Sequence, residues 1–327
     1  MIRGNRARYR QLAGCGLNLF TRDELDQIHY ATLEVLEETG LFVDNAEARE
    51  IYYSHGCRVD NAKKIVRIPP YVVEEAIRSA PPKVVCYGRD PKYDLVLEGN
   101  RVAFINFAVG IKMRDLETGE VRESTKQDVA ETALLCDALS SVDAYDQAVI
   151  PRDVPAMVAN LHAAEVVFDN TTKPVFTEAE SGLEMRALIR MGEVIAGGAE
   201  QLRRRPIIWG GGCPVSPLQL SDELCELLIE AARAGLPCLV LSQALTGASA
   251  PVTLAGGLIV HNCEVLGGIV LTELVRKGTP VVYGSSTGMF DLSCVNVPMG
   301  SPELALMSAA VAYMSQYYNL PSFVAGT

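Results

Sequence analysis

From about residue 100 onward the chain repeats one short pattern, an apolar run of four to eight residues followed by a helix-length segment. The runs are 102–107, 142–149, 174–177, 206–209, 237–242, 280–284 and 320–324, and from the third onward they recur every 31 to 43 residues. That spacing is the length of a strand–helix–strand unit. Runs such as PIIWGG and PCLVLS are apolar without alternation, as strands are when both faces are covered. Repeated units of this kind fold either as a (β/α)₈ TIM barrel or as a doubly wound sheet. The doubly wound fold usually carries a phosphate fingerprint. Here Gly110, Gly119 and Gly210-Gly211-Gly212 form no GxGxxG at a strand-to-helix turn, and no GxxxxGK[ST] exists. The expectation is therefore an α/β chain built as a (β/α)₈ barrel. It is incomplete within these 327 residues, with about seven strands present and the eighth missing.

Helix starts support the same reading. Capping boxes are expected at Ser124/Gln127 and Ser181/Glu184, and further starts near Pro155, near Ser221, at Ser249 or Pro251, and at Ser301-Pro302-Glu303. The first hundred residues differ. Thr21 and Glu24 open a helix that Gly40 ends, a second follows Asp44 with Glu47, and a third runs from about Pro70 to Ser79. Short strand-like pieces come next, including RVAFINF, and then a hairpin around Thr118-Gly119. The domains expected are an accessory region of helices and short strands over 1–100 and a partial barrel over 101–327, cut after its seventh strand.

Composition narrows the class. Twenty-nine basic against forty acidic residues give a net charge of −11, which argues against nucleic acid as a partner. Arg203-Arg204-Arg205 reads as a solvated loop edge rather than a phosphate site. No uninterrupted apolar run reaches the roughly 18 residues of a membrane span, because Gly256, Gly257, His261, Asn262 and Glu264 break the best one. Nine cysteines, none in CxxC spacing, fit no disulfide framework and no zinc motif, so no metal site is expected. A soluble cytoplasmic protein in a reducing compartment follows, with no membrane partner.

Barrels place their chemistry just past the carboxyl ends of their strands. The candidates there are Asn106 and Phe107, Gln147, Glu178 and Glu180, Trp209 to Cys213, Ser242 and Gln243, Tyr283, Ser285 and Ser286, and Gly326 and Thr327. Each has a plain alternative. Glu178 and Glu180 also suit the first turn of a helix, where carboxylates complement the dipole. Trp209 also suits a core, and His261 and Glu264 suit helix packing. No Ser/His/Asp or Cys/His set is visible by spacing.

Two long strings carry more. GASAPVTLAGGLIVHNCEVLGGIVLTELVRKGTPVVYG, from Gly247 to Gly284, and GSPELALMSAAVAYMSQYYNLPSFVAGT at the end resemble the trimethylamine:corrinoid methyltransferase family. TRDELDQIHYATLEVLEETGLFVDN is similar to that family's N-terminal segment. The resemblance covers nearly the whole chain. It implies a TIM barrel that moves a methyl group from trimethylamine to the Co(I) corrinoid of a cognate partner protein, in methanogenesis from methylamines. No cofactor is expected to be bound tightly, since the cobalt corrinoid acceptor belongs to the partner. A homo-oligomer is expected of the full-length protein.

The archaeal members of that family encode pyrrolysine with an in-frame amber codon after a segment resembling LPSFVAGT. The expectation is therefore a chain read only up to that codon, and inactive alone. Trimethylamine is a poor methyl donor because it is uncharged. An imine would take up its lone pair, and the resulting positive nitrogen would make the methyl a target for Co(I). Under this reading Glu180 or Glu178 supplies the assisting proton, and Gln243 orients the adduct. Trp209, Tyr283, Phe107 and Phe323 hold the methylammonium by cation–π contact. Two other readings stand beside it: a methyltransferase acting on glycine betaine or another quaternary amine, and a short non-catalytic protein that binds a partner.

Overall fold

The computed structural model describes residues 19–325. Its sheets are mixed, with parallel and antiparallel pairs among short strands. Two compact units are present. Val85–Gly210 makes one, and the described residues up to Val84 join those from Gly211 onward in the other. These boundaries differ from a division at residue 100 because Leu41–Val43 is built into a sheet with distant chain. It pairs antiparallel with Ile65–Arg67 and parallel with Gln219–Leu220.

The later unit holds the most regular sheet. Strands Gly210–Gly212, Cys238–Ser242, Val281–Ser285 and Ser322–Val324 lie side by side in chain order, the last three parallel. The register sets Val240, Tyr283 and Ser322 in one row, and Leu241, Gly284 and Phe323 in the next. Side chains of successive rows point to opposite faces. Val240 meets Gly268 and Tyr283 meets Asn262, so their face looks toward the helix Leu254–Val275. Phe323 is on the other face.

That 22-residue helix is long and apolar enough to cross a membrane by length and composition. The glycines and polar residues that interrupt its apolar run do not interrupt the helix. It is instead the buried centre of its unit, packed on Cys238–Ser242 and on the helices Arg22–Glu34, Pro70–Ser79 and Asp222–Ala234. Its glycines allow close approach. A Cβ at Gly268 would fall 2.8 Å from Val240, and one at Gly267 would overlap Leu41. Asn262, Glu264 and His261 in it are buried and hydrogen-bond to other parts of the protein.

Asn262 is the clearest case. Its amide donates to Thr32 Oγ1 and to Tyr318 Oη, each at 2.8 Å, and its oxygen accepts from Tyr283 Oη at 2.6 Å. Tyr318 Oη meets His29 Nδ1 at 3.1 Å, and His29 Nε2 meets Glu74 Oε1 at 2.8 Å. Each proton has one acceptor if His29 carries its hydrogen on Nε2, which fixes the tautomer by elimination. One chain of bonds thus ties the N-terminal helix, the long helix, the strand Val281–Ser285 and the end of the last helix.

In the earlier unit, Tyr145–Asp146 pairs parallel with Val175–Phe176, and Ile105 bridges Ala144 in the same sense. The expected strand 102–107 is only that bridge. The side chain of Asn106 takes the place of backbone, donating to Asp146 O and accepting from Asp146 N at 2.8 and 2.9 Å. The run 206–209 likewise is not paired, and strand geometry starts at Gly210. Lys173 is buried, and its ammonium donates to the carbonyls of Cys136, Leu139 and Val142 at 2.6 to 2.8 Å. A cation there stabilises the negative end of the helix Lys126–Ala138. Arg205 holds Asp94 with two bonds of 2.9 Å, so that arginine is paired rather than merely solvated.

Several helix starts shift. Asn45 rather than Asp44 caps Ala46–Ser54, Thr125/Asp128 rather than Ser124/Gln127 forms the reciprocal box, and Thr253 rather than Ser249 or Pro251 caps the long helix. The hairpin is present as Lys112–Arg114 with Val121–Glu123. The box at Thr21 and the helix start at Ser301-Pro302 hold where expected.

Asn262→Ala in the full-length protein leaves two tyrosine hydroxyls and Thr32 short of a partner. Chemical denaturation should show a loss on the order of 3 kcal/mol, the scale of a buried hydrogen-bond set broken at its hub. A change within about 0.5 kcal/mol, the usual effect of a surface substitution, would show that the hub is not what joins these elements.

Candidate active site

The carboxyl ends of the two paired strands in the earlier unit bring a group of acids and amides together. Asp146 ends the first strand and is only 8% exposed. Its Oδ1 accepts the backbone N–H of Gln147 at 2.8 Å. Glu178 follows the second strand by two residues and is half-buried. Burial, and secondarily the charge of Glu178, pushes the Asp146 carboxyl well above its usual range. Burial, with a further contribution from Glu180, pushes Glu178 up as well. A carboxyl raised in this way keeps its proton to a higher pH than an exposed carboxylate does. The arrangement can donate that proton to a basic atom at the strand mouth.

A buried relay sets the loop that carries Glu178 and Glu180. Gln147 Nε2 donates to Asn160 Oδ1 and Asn160 Nδ2 to Glu184 Oε2, both at 3.3 Å. Glu184 Oε2 also accepts the backbone N–H of Glu180 at 2.8 Å. Ser181 Oγ accepts from Glu184 N and begins the helix Gly182–Ala196. Glu184 therefore fixes the backbone of Glu180, while the Glu180 side chain is exposed.

The aromatic candidates are in different settings. Trp209 is buried against Phe176, with ring centroids 4.5 Å apart, and its carbonyl accepts from Thr177 Oγ1 at 3.2 Å. Phe107 is 81% exposed. In the later unit Tyr283 is fully buried on the helix-facing side, edge-on to His261 and bonded to Asn262. Phe323 is half-buried on the opposite face of that sheet. Gln243 is exposed just past the strand Cys238–Ser242. Gly326 and Thr327 lie outside the described residues.

Two helix residues have structural partners. Glu264 accepts from Ser242 Oγ, Ser216 Oγ and Leu218 N at 2.6, 2.8 and 2.9 Å, while burial raises its carboxyl. His261 Nδ1 meets Thr287 Oγ1 at 2.8 Å, and burial lowers its ring to about 3, so it is neutral. The group that sequence reasoning missed is Asp146. Its neighbour Gln147 was visible as a strand-end residue, but an acid inside an apolar run gives no signal until its burial is known.

A carboxyl raised on folding makes the native state hold more protons than the unfolded chain. Stability then falls as pH rises through the window from about 4, the unfolded value for Asp, up to the raised native value. Asp146→Asn keeps the oxygen that accepts from Gln147 and removes this slope. Unfolding free energies measured from about pH 4.5 to about pH 7.5, above the ordinary range of an Asp carboxyl, should increasingly favour the variant. Parallel curves for wild type and variant would place Asp146 in the ordinary carboxylate range.

A family model described as trimethylamine methyltransferase (MTTB) matches residues 5–327. The trimethylamine methyltransferase MttB of Desulfitobacterium hafniense (strain DSM 10664 / DCB-2) is 49% identical over 316 residues, which is 97% of this chain and 64% of that protein. That of Methanosarcina thermophila is 44% identical over 98% of this chain and 68% of its own length. A glycine betaine methyltransferase of Desulfitobacterium hafniense (strain Y51) is more distant, at 28% identity over 93% of this chain and 63% of its own length. The chain thus spans about two thirds of the length of these relatives. Among solved structures, the Methanosarcina barkeri monomethylamine methyltransferase (MtmB) superposes with a TM-score of 0.51 at 10% identity, covering 97% of this chain and 69% of that one. That likeness concerns the fold. With its α/β architecture and a family match from residue 5 to residue 327, the chain belongs to the trimethylamine methyltransferase (MTTB) family.

Proposed function

We propose that the whole protein transfers a methyl group from trimethylamine to the cobalt of a corrinoid carried by a cognate partner protein. The match to the family over residues 5–327 carries this reading. The arrangement of the strands supports it. In the sheet of Gly210–Gly212, Cys238–Ser242, Val281–Ser285 and Ser322–Val324 they follow chain order without reversal, as in a (β/α)₈ barrel, whereas a doubly wound sheet reverses at its ligand crevice. The (β/α)₈ barrel is part of the proposal. So are a cytoplasmic location, a homo-oligomeric full-length protein, and the division of the chain into an accessory region and a barrel.

Trimethylamine must become positively charged at nitrogen before its methyl is a good target. An imine of the pyrrolysine type supplies that electrophile in the complete protein, and none of the 327 residues here is of that kind. The task of this chain's own residues is to place the amine and supply a proton. Glu178, beside Asp146, is assigned the proton, because burial raises both carboxyls above their ordinary range. Glu180 has its backbone fixed by Glu184 and its side chain directed to solvent, which suits reaching a mobile substrate. In the earlier unit Phe107 and Trp209 are assigned to the methylammonium; in the later unit Gln243, at the mouth of its strand, with Phe323 and Tyr283, is a separate candidate for holding the amine. Of these, Phe107 has an open ring face, whereas Trp209 and Tyr283 act through the walls that they support.

The test uses the full-length protein with its Co(I) corrinoid partner and follows methylation of cobalt by absorbance. Trimethylamine should be the preferred donor, and Glu178→Gln should slow transfer by about 10²- to 10⁴-fold, the range for a lost general acid. Preference for glycine betaine would move the protein to the quaternary-amine reading. Wild-type turnover in both Glu178→Gln and Glu180→Gln would remove the carboxylates from the reaction.

A further inference from the structure

The strands Cys238–Ser242 and Val281–Ser285 of the later unit run on past their carboxyl ends as neighbouring loops that are tied to one another. Ser286 N donates to Ser242 O at 2.8 Å, and Gly288 N to Ala244 O at 3.3 Å. Between these two bonds stands the side chain of Thr287, which is fully buried. Its Oγ1 accepts from Ala244 N at 3.3 Å and donates to Ser242 O at 3.2 Å. One hydroxyl thus holds the residues on either side of Gln243, which is itself exposed.

The same hydroxyl has a further partner. His261, fully buried on the long helix, brings its Nδ1 to 2.8 Å from Thr287 Oγ1. Its Nε2 is buried with no hydrogen-bond partner. A hydroxyl has one hydrogen and two lone pairs. Here the hydrogen goes to Ser242 O and one lone pair takes the N–H of Ala244, so the other lone pair takes a hydrogen from His261 Nδ1. The opposite tautomer would bury an N–H at Nε2 without an acceptor, and an orphaned buried N–H is rarer than an acceptor left bare. Burial keeps the ring neutral. Its plane is set by edge-on packing against Tyr283, with centroids 5.3 Å apart.

We infer that His261 is a positioning residue: as its Nδ1–H tautomer it holds the Thr287 hydroxyl, and through that hydroxyl the backbone on both sides of Gln243, so that the exposed Gln243 amide meets its ligand from a fixed base. The ring itself touches no ligand. The tautomer and the interlock stand on these bonds alone. Their consequence for the amine rests on the methyl-transfer reading, in which Gln243 holds that amine. An amide that must be ordered at each encounter binds more weakly, because the ordering is then a cost of binding.

Solid-state nitrogen NMR of the full-length protein, isotope-labelled at the histidine rings, tests the tautomer without any substrate. His261, assigned by the loss of its signal in His261→Asn, should show a protonated Nδ1 and a bare Nε2 at neutral pH. A protonated Nε2 overturns the inference. Methyl transfer to the Co(I) corrinoid partner then reads the positioning. His261→Phe should raise the KM for trimethylamine about tenfold and leave kcat within about twofold, as when binding common to ground and transition state is lost. His261→Asn, whose amide donates from the place of Nδ1, should return KM to within about threefold of wild type. A merely structural role would lower the melting temperature of the variants without this split or this rescue. If His261→Phe loses its native circular dichroism, Thr287→Val, which removes the hydroxyl and keeps the shape, is read in its place with the same expectation. An unchanged KM, or an Asn variant no better than the Phe variant, overturns the inference. Gln243→Ala separates the causes: if it raises KM while His261→Phe does not, the positioning alone has failed, and if neither raises KM, the assignment of Gln243 has failed with it.

Discussion

The later unit depends on one buried amide. Asn262 stands where the N-terminal helix, the strand Val281–Ser285 and the end of the last helix converge, and it bonds to a side chain from each. An apolar residue there would leave three hydroxyls to find other partners in a region closed to water. A buried polar network that is completely satisfied selects one arrangement, since any slip in register strands a donor or an acceptor. The long helix can therefore be almost wholly apolar along its length and still dock in a single orientation. Its glycines set how near it comes to the sheet, and Asn262 with Glu264 sets its rotation and height.

The earlier unit uses the same principle with a different outcome. Its strands are very short, and side chains complete what backbone pairing leaves undone. Asn106 imitates a strand beside Asp146, and Lys173 gathers the carbonyls at a helix end. These anchors hold Asp146 in a buried position next to Glu178. The cost of keeping two carboxyls there raises their proton affinity above that of exposed carboxylates, the direction that a general acid needs.

Much of this was legible in the sequence, and the reasons for the rest are physical. The apolar runs at 237–242, 280–284 and 320–324 announced their strands, because a strand covered on both faces has an unmistakable composition. The run 102–107 looked equally convincing, yet Asn106 replaces backbone pairing with its own amide. Composition cannot reveal such a substitution. Capping residues were misplaced by one position at Asp44 and Ser124, where the neighbours Asn45 and Thr125 are equally good caps, and only the backbone angles decide between them. Among the site residues, Glu178 and Glu180 were found from their place after a strand. Asp146 was not, because its significance comes from burial. Tyr283 and Phe323 looked alike as aromatics near strand ends, and the register assigns them to opposite faces.

The central claim is that burial holds the Asp146 and Glu178 carboxyls above the ordinary carboxylate range. Infrared difference spectroscopy across a pH titration, comparing the full-length protein with Asp146→Asn and with Glu178→Gln, reads their protonation directly. A carboxylic-acid band should persist well above pH of about 4, where exposed carboxylates have ionised, and each substitution should remove or shift it. Complete ionisation of both groups near that pH, with spectra unaffected by either substitution, would contradict the account.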